Sequence, residues 1–315
     1  MESQQPEHFI SLPLVHKREE SARLPLVINV IAKYWGKDIA QEVTGQQTSS
    51  KGTLLIEGIE LAESHGLVCY SYKGSMKDLK KRIDQGIPPI AIMPGIQGTV
   101  QHATIVAGYN NDERRIIVYV PEPDTVGAIP EMKFEQEWEQ DDMTTIIIFP
   151  SDMKDIFKND NLKFLESNRI CFEAERLRQN GRTEDAIKKL RKATETEHTN
   201  AQAWCLLGGM YNEIGSDEAF AYYEMAIRLN PKYYLAYRGL GNYYLKKHEY
   251  LLADKYYTKA ISINPIRFGP IYKNRAVARI QLGDNQAAKE DLAKYLEQVP
   301  VSEDRRSIEE AIAGL

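Results

Sequence analysis

The amino-acid sequence predicts an α+β domain followed by an all-α array of helical repeats. Up to about residue 150 the apolar pattern mixes helical and β-like periods, and after about residue 160 it is helical throughout. The second half contains a repeat in which Pro231 and Pro265 occupy the same place, 34 positions apart. The chain has 315 residues, 43% of them hydrophobic, which is enough for two cores. We therefore expect a first domain at residues 1–151, a polar linker at 152–162 and repeats at 163–301.

Composition and charge argue against several classes of protein. The formal net charge is -5 and no run is rich in lysine or arginine, so a nucleic acid is not the expected partner. The first residues lack the basic and apolar regions of a secretion signal, and no segment approaches the length of apolar sequence that crosses a membrane. We therefore expect no membrane partner and a cytoplasmic location.

The cysteines and histidines give no support for a disulfide framework or a metal site. Cys69, Cys171 and Cys205 form no CxxC pair and are odd in number, which is typical of a reducing compartment. The six histidines are scattered without the spacing of metal ligands. We expect neither a metal ion nor a cofactor.

The first half reads as helices followed by a largely antiparallel sheet. Residues 24–35 are apolar nearly all round, which predicts a buried helix with Pro25 in its first turn. Residues 53–65 predict an amphipathic helix that ends before Gly66, because glycine favours the left-handed conformation after a helix. A third helix is expected at 76–86. Strands are predicted at 67–72, 89–93, 102–109, 115–120 and 144–149. This order favours an α+β fold over a doubly wound one.

Two adjacent segments of the second half, 203–231 and 236–265, carry similar residues at matching places. The matching pairs are Trp204/Tyr237, Leu207/Leu240, Gly208/Gly241, Tyr211/Tyr244, Ala219/Ala253, Tyr223/Tyr257, Ala226/Ala260 and Pro231/Pro265. Glycine and alanine at such places let helices cross closely, tyrosine and leucine fill the gaps, and proline ends each helix pair. The pattern resembles the tetratricopeptide repeat, which implies an all-α solenoid.

Two weaker copies flank these segments and bring the expected number of repeats to about four. The copy at 169–199 is more charged, as an end repeat should be, and the copy at 270–300 has Arg275 and Arg279 at usually apolar places. Residues 302–315 would form either a capping helix or the first helix of a further helical region.

Four segments of the first half are similar, in the same order, to a second family. They are LPLVHKREESARLPLVINVIAKYWGKDI, KGTLLIEGIELAESHGLVCYSYKG, PPIAIMPGIQGTVQHATIVAGYNNDERRIIVYVPEP and FEQEWEQDDMTTIIIFPS. Together they resemble the papain-like peptidase domain of the bacteriocin-processing, double-glycine leader peptidase family. The resemblance implies a papain-like α+β fold in which the first segment carries the nucleophile helix and the third carries the strands of the catalytic histidine and aspartate.

The same resemblance implies that the catalytic site is degenerate. The family's nucleophilic cysteine corresponds to Arg23, its oxyanion glutamine to Lys17 and its orienting aspartate to Glu122, whereas His102 stands at the place of the family histidine. A guanidinium stays protonated and cannot attack a carbonyl carbon at neutral pH. We therefore expect no catalytic residues and a pseudopeptidase domain. A cation at a helix start is unfavourable, which suggests that Arg23 pairs with Glu122 or another acid.

The expected function is that of a non-catalytic scaffold that binds a protein or a peptide, and we expect it to be the N-terminal part of a larger bacterial protein. No GxxxxGK[ST] motif for nucleotides occurs, and the concave surface of a repeat array usually takes peptide segments. Arg238, Asn242 and Lys273 are predicted to face that surface, where they could bind a carboxylate or a peptide backbone. The alternatives are a working peptidase or transferase with a non-standard nucleophile, and a regulator that binds an enzyme through the repeats. The oligomeric state is left open.

Overall fold

The structure, a computed structural model, describes residues 7–13, 26–39, 54–95, 100–120 and 125–315. The chain divides into two compact units. The first comprises residues 1–92, 103–138 and 143–198, and the second comprises residues 93–102, 139–142 and 199–315. Segments 93–102 and 139–142 therefore group with the later helices, and each unit is described by itself below.

The strands of the described residues form one sheet, in which neighbouring strands are not always consecutive in the sequence. They are β1 Glu7–Phe9, β2 Leu67–Lys73, β3 Ile90–Pro94, β4 Gln101–Asn110, β5 Arg115–Val120, β6 Thr125–Pro130 and β7 Thr144–Pro150. The strand order is β2-β7-β3-β4-β5-β6, and β1 pairs with β4. Antiparallel pairing joins β2 to β7, β3 to β7, β4 to β5, β5 to β6 and β1 to β4. β2 and β6 are consequently the two edges of the six-strand path.

Helices of the first half pack on this sheet. They are α1 Leu26–Tyr34, α2 Leu54–Ser64, α3 Met76–Asp84 and α4 Glu131–Trp138. Ile28 and Ile31 of α1 are fully buried in a core shared with α2 and the strands, as the apolar sequence of this helix predicts. Directly after α1, the indole N–H of Trp35 donates to the backbone carbonyl of Ile148 on β7 at 2.8 Å. Gly66 ends α2 with φ of 79°, which confirms the predicted stop.

The later part of the chain consists of consecutive helix pairs. They are α5 Leu165–Gln179 with α6 Thr183–Thr196, α7 Ala201–Glu213 with α8 Glu218–Leu229, α9 Tyr234–Lys246 with α10 Tyr250–Ile263, and α11 Pro270–Gln281 with α12 Asn285–Gln298, followed by α13 Arg305–Gly314. The first pair falls in the first unit and the others in the second. An α+β sheet domain followed by repeat helices is the fold class that the sequence predicts, and the prediction is confirmed.

The matching residues of the repeats form close helix crossings. A methyl group at Gly241 would overlap the ring of Tyr257, and one at Gly239 would overlap the ring of Tyr223. Both tyrosines are buried, and the hydroxyl of Tyr257 donates to Asn242 at 2.8 Å. The glycines therefore act by their lack of a side chain, which lets an aromatic ring of a neighbouring helix lie against the backbone.

The two arginines at apolar places of the last repeat have aspartates as partners. Arg275 donates to both carboxylate oxygens of Asp291, at 2.6 and 2.9 Å, and is 9% exposed. Arg279 donates to Asp254 at 2.7 Å and to Asp291 at 3.0 Å. The repeat thus keeps its packing by replacing an apolar contact with a compensated ion-pair network.

Candidate degenerate peptidase site and peptide-binding residues

Three of the four residues at the family's catalytic places lie outside the described residues. They are Lys17, Arg23 and Glu122. The pairing of Arg23 with Glu122 therefore stays a hypothesis, and His102 is the member of this set whose surroundings can be described.

His102 lies at the start of β4 and is half-buried. Its Nδ1 is 2.6 Å from the backbone carbonyl oxygen of Pro94, and a carbonyl can only accept, so Nδ1 carries the proton and donates. Burial lowers the pKa of His102 below its usual value, the bond to Pro94 opposes this, and the positive charge of Arg267 lowers the pKa further. Near pH 7 the imidazole is consequently neutral, unlike the imidazolium of a thiolate pair.

The thiols of the chain are all buried. Cys69 on β2, Cys171 on α5 and Cys205 on α7 are buried and free. Burial raises the pKa of Cys69 and Cys171 well above the usual value and raises that of Cys205 to about 12. Since the thiolate is the nucleophilic form, these three side chains lack the environment of a reactive cysteine.

Two of the predicted peptide-binding residues lie one helical turn apart on α9. The guanidinium carbon of Arg238 lies 4.8 Å from the centre of the Phe268 ring, and the Nε of Arg238 is buried without a hydrogen-bond partner in the described structure. The side-chain oxygen of Asn242 accepts from Tyr257, which leaves its amide nitrogen as a donor. Both side chains are half-buried.

The third predicted residue, Lys273 on α11, already has a partner within the second unit. Its Nζ donates to Asp304 at 2.6 Å and lies 5.1 Å from the centre of the Tyr295 ring. The ammonium group is therefore shared with the start of α13, and an external carboxylate would compete with Asp304 for it. Lys273 would thus have to leave Asp304 before it could bind a peptide, whereas no carboxylate partner of Arg238 is found in the described structure.

A buried ion pair in the second unit has no counterpart in the sequence-based expectations. Arg267 is fully buried, donates to Asp141 at 2.6 Å and to the backbone carbonyl of Val100 at 2.9 Å, and lies 4.3 Å from the centre of the Tyr234 ring. Gln101 also donates to Asp141, at 2.6 Å. Arg267 lies in the turn between α10 and α11. Helical periodicity predicts which residues of a helix are buried, but it does not apply to residues in a turn.

Neither a membrane span nor a metal site is found in the described parts of the chain. Within those ranges no helix has the length and apolar character needed to cross a bilayer. Over the same ranges, histidine, cysteine, aspartate and glutamate side chains do not group in threes that could bind a metal ion.

Models of known families match one segment in each half of the chain. Residues 11–152 match the model of the Peptidase C39 family, and residues 236–267 match the tetratricopeptide repeat model. The first match covers less than half of the 315 residues. Both resemblances drawn from the sequence are confirmed: a peptidase C39-like domain is joined to tetratricopeptide repeats.

Solved structures similar to this chain include several tetratricopeptide proteins. A crystal structure of MamA is 18% identical, with a TM-score of 0.38, over 45% of this chain and 88% of that one. The MamA RS-1 ArsTM double mutant is 16% identical, with a TM-score of 0.42, over 47% and 91%. TTC0263, a thermophilic TPR protein in Thermus thermophilus, is 19% identical, with a TM-score of 0.39, over 47% and 80%. A search of curated proteins gives no match.

Proposed function

We propose that this chain is a non-catalytic scaffold that binds a protein or a peptide. In this proposal residues 1–151 form a pseudopeptidase domain, 152–162 a linker, 163–301 about four repeats, and 302–315 a capping helix or the start of a further helical region. The observation that carries the proposal is Arg23 at the nucleophile's place, because a guanidinium cannot form an acyl intermediate with a substrate.

The surroundings of the remaining groups support the loss of catalysis. Each of the three cysteines is buried with a raised pKa, so no thiol of the chain is a ready substitute. His102 donates from Nδ1 to Pro94 and is neutral near pH 7, which is the form least able to stabilise a thiolate. Three unpaired cysteines also support a reducing, cytoplasmic compartment.

Peptide binding is assigned to the repeats. Arg238 supplies a guanidinium that lies against the Phe268 ring, and Asn242 supplies an amide donor one turn away. The Nε of Arg238 is buried, so the terminal nitrogens of the guanidinium are the ones assigned to the ligand. Such a pair suits a carboxylate and the neighbouring main chain of a bound segment. Lys273 contributes after exchanging Asp304 for the ligand.

The binding test uses the full chain and random peptides of about 12 residues displayed on phage, followed by fluorescence anisotropy of the selected peptides. We expect Arg238→Ala to weaken binding about tenfold, the usual effect of losing a hydrogen bond to a charged group. Arg228→Ala is the matched control, because Arg228 is exposed on α8 of the preceding repeat. Equal affinity of both variants for every selected peptide would refute the assignment of the site.

The match to a peptidase family favours one second candidate, a peptidase or transferase with a non-standard nucleophile. An active enzyme of this kind would react with a thiol-directed or hydroxyl-directed activity probe, and the labelling would be lost in His102→Ala. We expect no such labelling. Labelling that depends on His102 would replace the scaffold by this second candidate.

A further inference from the structure

The edge strand β2 has backbone groups that no other part of the described chain uses. Lys73 donates its N–H to the backbone carbonyl of Lys163 at 2.8 Å, on the side away from β7. Because the direction of N–H and C=O alternates along an antiparallel strand, Leu67, Cys69 and Ser71 turn theirs the same way. The described chain pairs with this edge only at Lys163, since Phe164 then takes a left-handed φ of 66° and α5 begins.

A cavity of about 690 Å³ lies against this edge, within the first unit. Five consecutive residues of β2, 67–71, line it. Side chains of a strand alternate between the two faces of the sheet, so five consecutive residues can share one cavity only if it opens on the backbone edge. Its size is that of ordinary ligand sites.

Apolar side chains line the cavity above and below the edge. Ile59 of α2 and Phe172 of α5 belong to the core on one face of the sheet, and Tyr70 and Leu162 pack with the core on the other face. A strand that continued the sheet here would place its alternate side chains against these two apolar walls in turn.

The charged side chains that line the cavity are paired within the protein or opposite in sign, so they do not favour a charged ligand. Arg169 and Glu63 pair with each other at 2.6 Å, and Glu197 accepts a backbone N–H of α5. Lys154 and Glu166 are exposed and carry opposite charges. The lining therefore complements an uncharged segment better than an acidic or basic one.

We propose that the free edge of β2 in this cavity binds an extended, apolar peptide segment as an added strand, at a second peptide site distinct from the repeats. The three outward-facing residues span about 13 Å, at roughly 3.3 Å per residue, so about four residues of the segment form the ladder. Main-chain hydrogen bonds provide affinity, and the two apolar walls select the side chains.

The test exploits the outward direction of the Ser71 N–H. Ser71→Pro removes this donor without removing a bond to β7, and Ser71→Ala is the matched control that keeps the N–H. Random heptapeptides displayed on phage are selected on the full chain, and the selected sequences are synthesised both unmodified and N-methylated at alternate amides. N-methylation removes backbone donors from the peptide, so wild-type protein with these peptides provides a second test should the proline variant not fold.

We expect apolar peptides that bind wild type and Ser71→Ala equally, bind Ser71→Pro at least about tenfold more weakly, and lose affinity on N-methylation. These peptides should be insensitive to Arg238→Ala, which separates this site from the one in the repeats. The proposal is overturned if every selected peptide depends on Arg238, if N-methylation has no effect, or if Ser71→Pro changes self-association of the chain without changing peptide affinity.

Discussion

The protonation states of the cysteines and of His102 depend on the immediate surroundings of each side chain. Cys69, Cys171 and Cys205 are each buried, and His102 is neutral near pH 7 because burial and the positive charge of Arg267 lower its pKa. The sequence shows that the thiols lack metal-ligand spacing, but only their positions in the fold show that they are protonated. Burial of a single cysteine depends on contacts with distant segments, which local sequence does not specify.

Thiol titration tests this point. In the native protein at pH 7 we expect Ellman's reagent to modify none of the three cysteines rapidly, since a buried thiol with a raised pKa is neither accessible nor ionised. In denaturant all three should react. A fast-reacting thiol in the native state, located by mass spectrometry, would contradict this description.

The ion pair in the last repeat gives a second prediction at the residue scale. Asp291→Asn leaves the buried guanidinium of Arg275 without a carboxylate, and we expect a loss of about 3–5 kcal/mol in the free energy of unfolding. Urea denaturation followed by the helical circular dichroism signal measures it. The control Glu297→Gln breaks an exposed pair with Lys294 and should leave the free energy of unfolding nearly unchanged. Equal losses would show that the network contributes no more than a surface pair.

Those arginines also show what the sequence could not provide. Arg275 and Arg279 are recognisable as departures from the repeat pattern, but their partners Asp254 and Asp291 lie on α10 and α12. The pairing depends on how three helices align. Repeat spacing fixes the order of helices and not the contacts of an atypical side chain.

At the scale of elements, glycine and tyrosine set the helix crossings in the repeats. Gly241→Ala adds a methyl group that would overlap the Tyr257 ring, and that ring is held by its hydroxyl bond to Asn242. We expect a loss of about 1–3 kcal/mol in the free energy of unfolding, despite the higher helix propensity of alanine.

Gly209→Ala is the matched control for this substitution. Its added methyl group would meet the Tyr223 hydroxyl at 3.7 Å, an ordinary van der Waals distance. The control should therefore leave stability unchanged or raise it by up to about 1 kcal/mol. A Gly241→Ala protein as stable as Gly209→Ala would contradict the close crossing.

The contact between α11 and the start of α13 makes helical stability depend on pH. Hydrogen bonds from Lys273, Ser302 and Tyr295 hold the pKa of Asp304 well below its usual range. A carboxyl whose pKa is lowered by folding stabilises the folded state at pH values above the pKa that it has in the unfolded chain, which is about 4. This stabilisation is lost as the pH falls towards the pKa of the carboxyl in the folded state.

Comparison of wild type with Lys273→Met isolates this contact. We expect the variant to be less stable at pH 6 by up to about 1 kcal/mol, since the pair is partly exposed to solvent. The difference should shrink as the pH is lowered from about 4 towards about 2. A stability difference that stays constant over this range, measured by urea denaturation, would show that Asp304 is not responsible.

The strands show where sequence patterns predict elements well and where they do not. β2, β3, β4, β5 and β7 coincide with apolar runs. β6 contains Gly127 and Ala128, which are poor strand formers, and it exists because it pairs with β5. β1 has three residues and pairs with β4 at Gly108, where a side chain would collide with the backbone of His8. β1 therefore depends on a partner far along the chain, and β6 depends on its neighbour β5, so neither strand is specified by its own residues alone.

At the scale of the whole molecule, a peptidase-like sheet domain and a repeat array occur in one chain. Order of elements and repeat spacing predict an α+β domain followed by helical repeats, and the resemblance of four segments to a peptidase family predicts which kind of α+β domain it is. The catalytic places are different: they were assigned through a family resemblance, and Lys17, Arg23 and Glu122 lie outside the described residues. The scaffold proposal therefore rests on side-chain chemistry, and an activity measurement is its most direct test.

That measurement is the incubation of the full chain with a peptide carrying a double-glycine leader, followed by mass spectrometry, with an active member of the peptidase family as positive control. We expect no cleavage after the double glycine at any pH between about 6 and 8, because Arg23 cannot act as a nucleophile there. Cleavage by the wild-type chain that is abolished in His102→Ala would contradict the account.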